Sequence, residues 1–180
     1  MPHAETLPHI APSLTAVLFG LSGCLVDFGA RTRAQGIPSA IHAEATPGAL
    51  DSLRSLQHQQ IPCAWLDELP PALSHSLAAA LMTLNVERLE GCVLVSGEPR
   101  LLQAGLNAGL WTIGLASCGS LCGLAPNEWQ ALTQQEREFK RGKATVQLFG
   151  LGVHSVIDHL GELDTCLADI SLRRLKGEKP

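Results

Sequence analysis

Residues 16–29 read Ala-Val-Leu-Phe-Gly-Leu-Ser-Gly-Cys-Leu-Val-Asp-Phe-Gly, and the architecture of the chain can be worked out from this stretch. Four apolar residues, 16–19, are followed at once by a turn that contains Gly20 and Gly23. A short apolar run that ends in glycines is typical of a strand buried on both faces of a parallel sheet. The stretch therefore predicts a central strand followed by a tight loop at the edge of the sheet where ligands usually bind.

The rest of the chain alternates between strand-like and helix-like segments. Further strands are predicted at Ile61–Leu66, Cys92–Val95, Leu110–Leu115 and Val153–Ile157, with Trp65 and Trp111 as core residues of two of them. Helices are predicted from Pro47-Gly48 to His58, from Pro70-Pro71 to Leu84, from Pro99 to Asn107, from Asn127 to Gly150 and from Gly161 to Leu175. This order predicts a Rossmann-like three-layer α/β sandwich, with a mostly parallel five-stranded sheet and helices on both faces.

Length and charge restrict the classes of function. With 180 residues, the chain is expected to form one core domain (15–180) after a flexible leader (1–14). The net charge of −4 and the mostly scattered basic residues disfavour a nucleic-acid partner. No apolar run reaches the roughly 18 residues of a membrane span, and the N-terminus lacks the basic and apolar regions of a signal peptide. A cytoplasmic protein is therefore expected.

The six cysteines are irregularly spaced, and Cys24, Cys63 and Cys92 lie in or beside apolar runs. Such a pattern predicts buried, reduced thiols rather than a disulfide framework. An alternative is a zinc site formed by Cys118, Cys122 and His154. A single CxxxC without a second paired motif gives that alternative little support.

Two segments resemble the haloacid-dehalogenase-like hydrolases. Residues 16–29 are similar to the first motif of that superfamily, a hydrophobic strand followed by Asp-x-Asp-Gly-Thr and a later Val-Asp. The Val-Asp-Phe-Gly ending, together with Ala104–Gly114 (Ala-Gly-Leu-Asn-Ala-Gly-Leu-Trp-Thr-Ile-Gly), resembles the phosphonoacetaldehyde hydrolase branch. Residues 152–158 and 174–180 also look like the carboxyl end of that branch. The resemblance implies the core fold of this superfamily.

The catalytic positions that the resemblance implies hold other residues here. The nucleophilic aspartate corresponds to Gly20, the second aspartate to Ser22, the phosphate-binding Ser or Thr to Asp67, and the Mg²⁺-binding aspartate to Gly97. The basic residue of the third motif has no counterpart. The cap domain is reduced to an insert at about 30–47, which has no lysine for a Schiff base. Because glycine has no side chain to attack phosphorus, no catalytic residue is expected and the site positions are vestigial.

Several polar residues at the same edge remain candidates for binding. They are Ser22, Asp67, Ser96, Glu98 and Ser117. Small residues and backbone amides in such loops can hold an anion without catalysis, but turns inherited from an ancestral enzyme are the favoured explanation. Asp67, Glu68 and Glu98 form a new cation site in one interpretation and are acids at helix starts in the other. Asp27 is expected to fix its local turn.

Three functions are consistent with these residues. The leading prediction is a non-catalytic homologue that binds a small ligand or a protein partner and uses no cofactor or metal. The alternative is a phosphatase-type hydrolase with a rearranged carboxylate site, which would hold Mg²⁺ through Asp67 and Glu98. A third reading is a subunit that assists a related full-length hydrolase. A homo-oligomer is compatible with all three.

Overall fold

The structure, a computed structural model, describes residues 13–31, 44–66 and 73–180. Most of the predicted leader and most of the predicted insert at 30–47 lie outside these ranges. The same is true of Asp67, of Glu68 and of the helix start predicted at Pro70-Pro71.

Five parallel strands form the sheet in the part of the chain that the structure describes. They are β1 (Ala16–Gly20), β2 (Cys63–Leu66), β3 (Cys92–Ser96), β4 (Trp111–Leu115) and β5 (Ser155–Ile157). Their order across the sheet is β2-β1-β3-β4-β5, and every adjacent pair is parallel. Because β1, β3 and β4 are buried along their whole length, they read as continuous apolar runs without alternation. The predicted fold class is confirmed.

Helices cover both faces of this sheet. They are α1 (Ala49–His58), α2 (Leu73–Thr83), α3 (Pro99–Asn107), α4 (Pro126–Ala131), α5 (Gln134–Leu151) and α6 (Leu163–Leu175). Val17 and Phe19 of β1 pack with α1 and α6 on one face, whereas Ala16 and Leu18 pack with α2 and α3 on the other. This alternation along β1 gives the three layers. None of the helices within the described ranges is long and apolar enough to cross a membrane.

The single polar helix predicted between Asn127 and Gly150 is wrong: the structure has two helices there, α4 and α5. Thr133 separates them as the N-cap of α5, and its Oγ1 accepts a hydrogen bond from the Glu136 amide at 3.3 Å. The Glu136 carboxylate in turn accepts from the Thr133 amide at 2.8 Å. This is a capping box, whose pattern, Thr-x-x-Glu, is present in the sequence and was overlooked.

The two strand tryptophans have opposite environments. Trp111 of β4 is fully buried, as predicted, and its Nε1 donates a hydrogen bond to the Glu90 carbonyl at 3.1 Å. Trp65 of β2 is 59% exposed, so its prediction as a core residue is wrong. The reason is the place of β2 in the sheet. Among the described strands it lies at the edge and pairs with β1 alone, so neighbouring strands cover its side chains on one side only.

All six cysteines are free, and four of them are buried. Burial raises the pKa of the Cys118 thiol to about 12, which makes it a poor metal ligand because the thiolate is the ligating form. Cys122 Sγ donates to the Ala116 carbonyl at 3.1 Å, and His154 Nδ1 is bonded to Thr112. Within residues 13–31, 44–66 and 73–180, no three His, Cys, Asp or Glu side chains are grouped to hold a metal ion. The zinc alternative has no geometric support.

His154 joins the start of β5 to β4 through its side chain. Its Nδ1 accepts a hydrogen bond from the Thr112 amide at 3.0 Å, and its ring lies 4.9 Å from that of Trp111. Arg173 of α6 lies over the Trp111 ring, with its guanidinium carbon 4.9 Å from the ring centroid. Burial, and then the charge of Arg173, lower the pKa of His154 below its usual value.

We expect acid to weaken the fold through His154. Because its pKa is lower in the folded chain, the unfolded chain binds more protons below about pH 6.5, so the free energy of unfolding falls as pH decreases from there. His154→Asn keeps an acceptor for the Thr112 amide but cannot be protonated. Urea unfolding at about pH 7.5 and pH 5.5 should show a smaller loss of stability in this variant than in the native chain. An equal loss in both would contradict the assignment.

Candidate functional site

The positions predicted from the sequence lie where the strands of a parallel sheet end, the edge at which such folds bind ligands. Ser22 follows β1, and its Oγ donates a hydrogen bond to Asp27 Oδ2 at 2.6 Å. Asp27 Oδ1 accepts from the Arg31 amide at 3.1 Å, and Asp27 itself has a positive φ of 52°. The pair therefore holds the turn after β1, as predicted for Asp27. Ser22 is buried and its hydroxyl is committed to this turn.

Gly20 occupies the end of β1 in a space that is already filled. A Cβ built there would be 2.8 Å from Ser96 Oγ and 3.2 Å from a Leu101 methyl carbon. Ser96 is itself fully buried, and its Oγ accepts a hydrogen bond from the Glu98 amide at 2.9 Å. Ser96 thus stabilises the turn after β3 and faces Gly20, not solvent.

Three glycines from three loops meet at the centre of this edge. A Cβ on Gly97 would be 2.8 Å from the Cys118 carbonyl oxygen and 2.8 Å from the α-carbon of Gly119, and it would also meet the Gly23 carbonyl. A Cβ on Gly23 would lie 2.8 Å from the same α-carbon of Gly119. We call Gly23, Gly97 and Gly119 the glycine contact. It joins the loops after β1, β3 and β4 backbone to backbone, where no side chain fits.

Magnesium, which the superfamily resemblance implies, does not fit the described residues at this edge. Gly97 replaces the expected aspartate, and the glycine contact fills the space of its side chain. The Glu98 carboxylate accepts hydrogen bonds from the Ser120 amide at 3.1 Å and from Ser120 Oγ at 3.2 Å, which ties two loops together. Asp67, the other acid of the cation interpretation, lies outside the described residues. The alternative thus rests on Asp67 and Glu98 with no geometry in its favour.

Ser117 lies apart from the other candidates and lines a cavity of about 380 Å³. It is buried, and its amide donates to the Asp158 carbonyl at 3.0 Å, which places the ends of β4 and β5 side by side. Of the predicted binding residues that the structure describes, Ser22, Ser96 and Glu98 therefore hold loops together, whereas Ser117 lines an open cavity. The cavity is lined by Phe28, Pro47, Ser117, Trp129, Gln134, Arg137, Arg141, Asp158 and His159.

Two arginines of α5 dominate the polar side of this cavity. Arg141 Nη1 forms an ion pair with Asp158 Oδ2 at 2.5 Å. The Nε atoms of Arg137 and Arg141 are both buried and have no hydrogen-bond partner among the described residues. A buried donor without an acceptor costs about 1–3 kcal/mol, and more when it is charged. Both arginines line the cavity, so an oxyanion bound there would lie beside guanidinium groups whose hydrogen-bonding capacity is not all used.

Of the residues that line the cavity, only Ser117 was predicted from the sequence as a site residue. The predicted ligand-binding edge included the segments after the first four strands but not the one after β5, where Asp158 and His159 lie. A signal was available, because Arg137 and Arg141 are four residues apart in a predicted helix and so share a face. Their buried Nε atoms and the pairing with Asp158 could not be read from the sequence.

Known proteins with similar sequences and structures define the class. No family model matches the chain. A phosphonoacetaldehyde hydrolase of Klebsiella pneumoniae is 36% identical over 100 residues, which cover 56% of this chain and 37% of that protein. A solved structure that is 59% identical covers 93% of this chain and all of its own, with a TM-score of 0.84. The phosphonoacetaldehyde hydrolase-like protein of Oleispira antarctica shares the fold, with a TM-score of 0.83, full coverage of both chains and 20% identity.

The fold of the chain is an α/β fold like that of solved haloacid-dehalogenase-like proteins. The chain belongs to that superfamily, and within it to the phosphonoacetaldehyde hydrolase-like branch. It spans 37% of the length of the Klebsiella pneumoniae protein and about 60% of that of the phosphonoacetaldehyde hydrolases of Salmonella strains that it matches.

The glycine contact should resist even the smallest side chain. We expect Gly97→Ala to lower the free energy of unfolding by about 1–3 kcal/mol, because the new methyl group must displace backbone in two loops. Gly142→Ala is the matched control: it lies exposed in α5 with nothing within 4 Å of a built Cβ, and should stabilise the chain by about 0.5–1 kcal/mol. Denaturant unfolding of both variants measures the difference. A neutral Gly97→Ala would mean that the loops are not in contact.

Proposed function

We propose that this chain is a non-catalytic member of its branch that acts by binding a small ligand. The observation that carries the proposal is the glycine contact, which leaves no room for a side chain at Gly97, the position that the resemblance assigns to the Mg²⁺-binding aspartate. The resemblance assigns the nucleophile to Gly20, which also has no side chain. The cavity beside Ser117 supports the ligand-binding form of the proposal because it remains open at the same edge of the sheet.

The chemistry of the superfamily explains why these two places matter together. A carboxylate oxygen attacks phosphorus to form an acyl phosphate while the leaving group departs, and Mg²⁺ neutralises the phosphoryl oxygens. Gly20 supplies no oxygen for the new bond. A phosphoryl group near β1 would also approach the Glu98 carboxylate, which repels it. Each departure removes a separate part of the reaction, so their combination supports loss of catalysis.

The proposal predicts no phosphate release. The purified chain is incubated with Mg²⁺ and an aryl phosphate such as 4-nitrophenyl phosphate, and then with phosphonoacetaldehyde, and inorganic phosphate is measured. The expected rate equals that of an Asp67→Asn, Glu98→Gln double variant prepared identically, because neither chain has a nucleophile on β1. A phosphonoacetaldehyde hydrolase assayed in parallel shows that the substrates and metal are competent.

One outcome would replace the proposal by the rearranged-site alternative. If the native chain releases phosphate and the double variant does not, Asp67 and Glu98 are carboxylates of a working site. Release that survives in the double variant at the same rate is contamination.

A further inference from the structure

We infer that the cavity beside Ser117 is a binding site for a small organic monocarboxylate that carries a planar apolar body. This inference rests on the proposed function, because it names the ligand class of a chain that acts by binding. The cavity lies between the ends of β4 and β5, with α5 as one wall and α4 as another. Its volume of about 380 Å³ is within the range of sites for small molecules.

The unpaired donors of α5 point to an oxyanion. Arg137 and Arg141 are one helical turn apart, both line the cavity, and the Nε of each is buried without an acceptor in the described chain. An arginine presents its N–H groups as a planar fork that matches two oxygens of a carboxylate. A carboxylate bound in the cavity would therefore lie beside a guanidinium group, that of Arg137, for which the described chain shows no acceptor.

The charges that line the cavity favour one negative charge over two. Arg141 is already paired with Asp158, and no ion pair is formed by Arg137 with any described residue. The lining thus carries one uncompensated positive charge, that of Arg137. A monocarboxylate neutralises it. A phosphate dianion would add a second negative charge close to the Asp158 carboxylate, and this repulsion disfavours it.

Part of the cavity lining is aromatic. Phe28 and Trp129 have ring centroids 6.2 Å apart at an interplanar angle of 51°, and Pro47 also lines the cavity. Trp129 is held on α4, whose Glu128 forms an ion pair with Arg31 at 2.8 Å. A wall of two rings on fixed elements suits a flat apolar group, which gains both burial and ring contacts.

The experiment is a calorimetric titration of the full chain with three probes that share a phenyl ring and differ in charge. Phenylacetate carries one negative charge, phenylacetamide is neutral, and phenyl phosphate carries two. Phenylacetate should bind at least about tenfold more tightly than either of the others, as expected for a charge-assisted hydrogen bond made to the Arg137 guanidinium. Equal affinity for the amide, tighter binding of the phosphate, or no binding of phenylacetate at millimolar concentration would overturn the inference.

Two variants assign the binding to the cavity. Arg137→Met keeps the length of the side chain and removes the charge, and should weaken phenylacetate binding by about tenfold or more. Arg100→Met removes an exposed arginine of α3 that does not line the cavity, and should leave the affinity unchanged. Circular dichroism and thermal unfolding confirm that both variants fold. If Arg137→Met folds and binds as the native chain does, the site is elsewhere.

The titration and the phosphate-release assay test the carboxylate site and the proposed function separately. The titration contains no added metal, and the binding of phenylacetate does not depend on turnover of any phosphate ester, so absent binding overturns the carboxylate site and leaves the phosphate-release result as it stands. Conversely, phosphate release that depends on Asp67 and Glu98 would overturn the proposed function even if phenylacetate bound as expected.

Discussion

The complete burial of β1 is the constraint on which the rest of the structure depends. All five of its residues are buried, and it is hydrogen-bonded on one side to β2 and on the other to β3. A strand in this position cannot shift by one residue, because the side chains of both core faces would exchange places. The loop after β1 is therefore fixed in space, and the loops after β3 and β4 must fit against it.

That fit explains why the carboxyl edge has two different halves. Near β1 and β3, glycines allow three loops to touch through backbone atoms, and Ser22, Ser96 and Glu98 use their polar groups to hold neighbouring loops. Near β4 and β5 the space between the strand ends and α5 stays open, although the Ser117 amide and the Asp158 carbonyl join the two loops. The polar residues near β1 and β3 therefore stabilise the loops, whereas Arg137 and Arg141 near β4 and β5 have Nε donors without a partner among the described residues.

The sequence was sufficient for the architecture because the fold depends on features with a local signature. The apolar runs of β1, β3 and β4 and the proline at the start of α3 give each element its place, and parallel pairing follows from the alternation. Trp65 was misjudged because edge position is a property of the sheet and not of the strand. The boundary at Thr133 was missed although its capping pattern is local.

The site was less accessible from the sequence, for a physical reason. Counting along the motifs located Gly20, Ser22 and Gly97 and showed that carboxylates were missing there. Counting could not show that Gly97 contacts Gly119, which lies in the loop after another strand. Nor could it show that Ser117 lines the cavity next to α5. Such facts concern distances between loops, which are set by the sheet as a whole.

The glycine contact also bears on how this chain can change over generations. Placing an acid at position 97 would first require the loops at Gly23 and Gly119 to withdraw, and each withdrawal alone would cost stability without providing chemistry. The intermediate states are less stable whichever step comes first. A side chain can therefore be acquired at position 97 only through coordinated changes in all three loops.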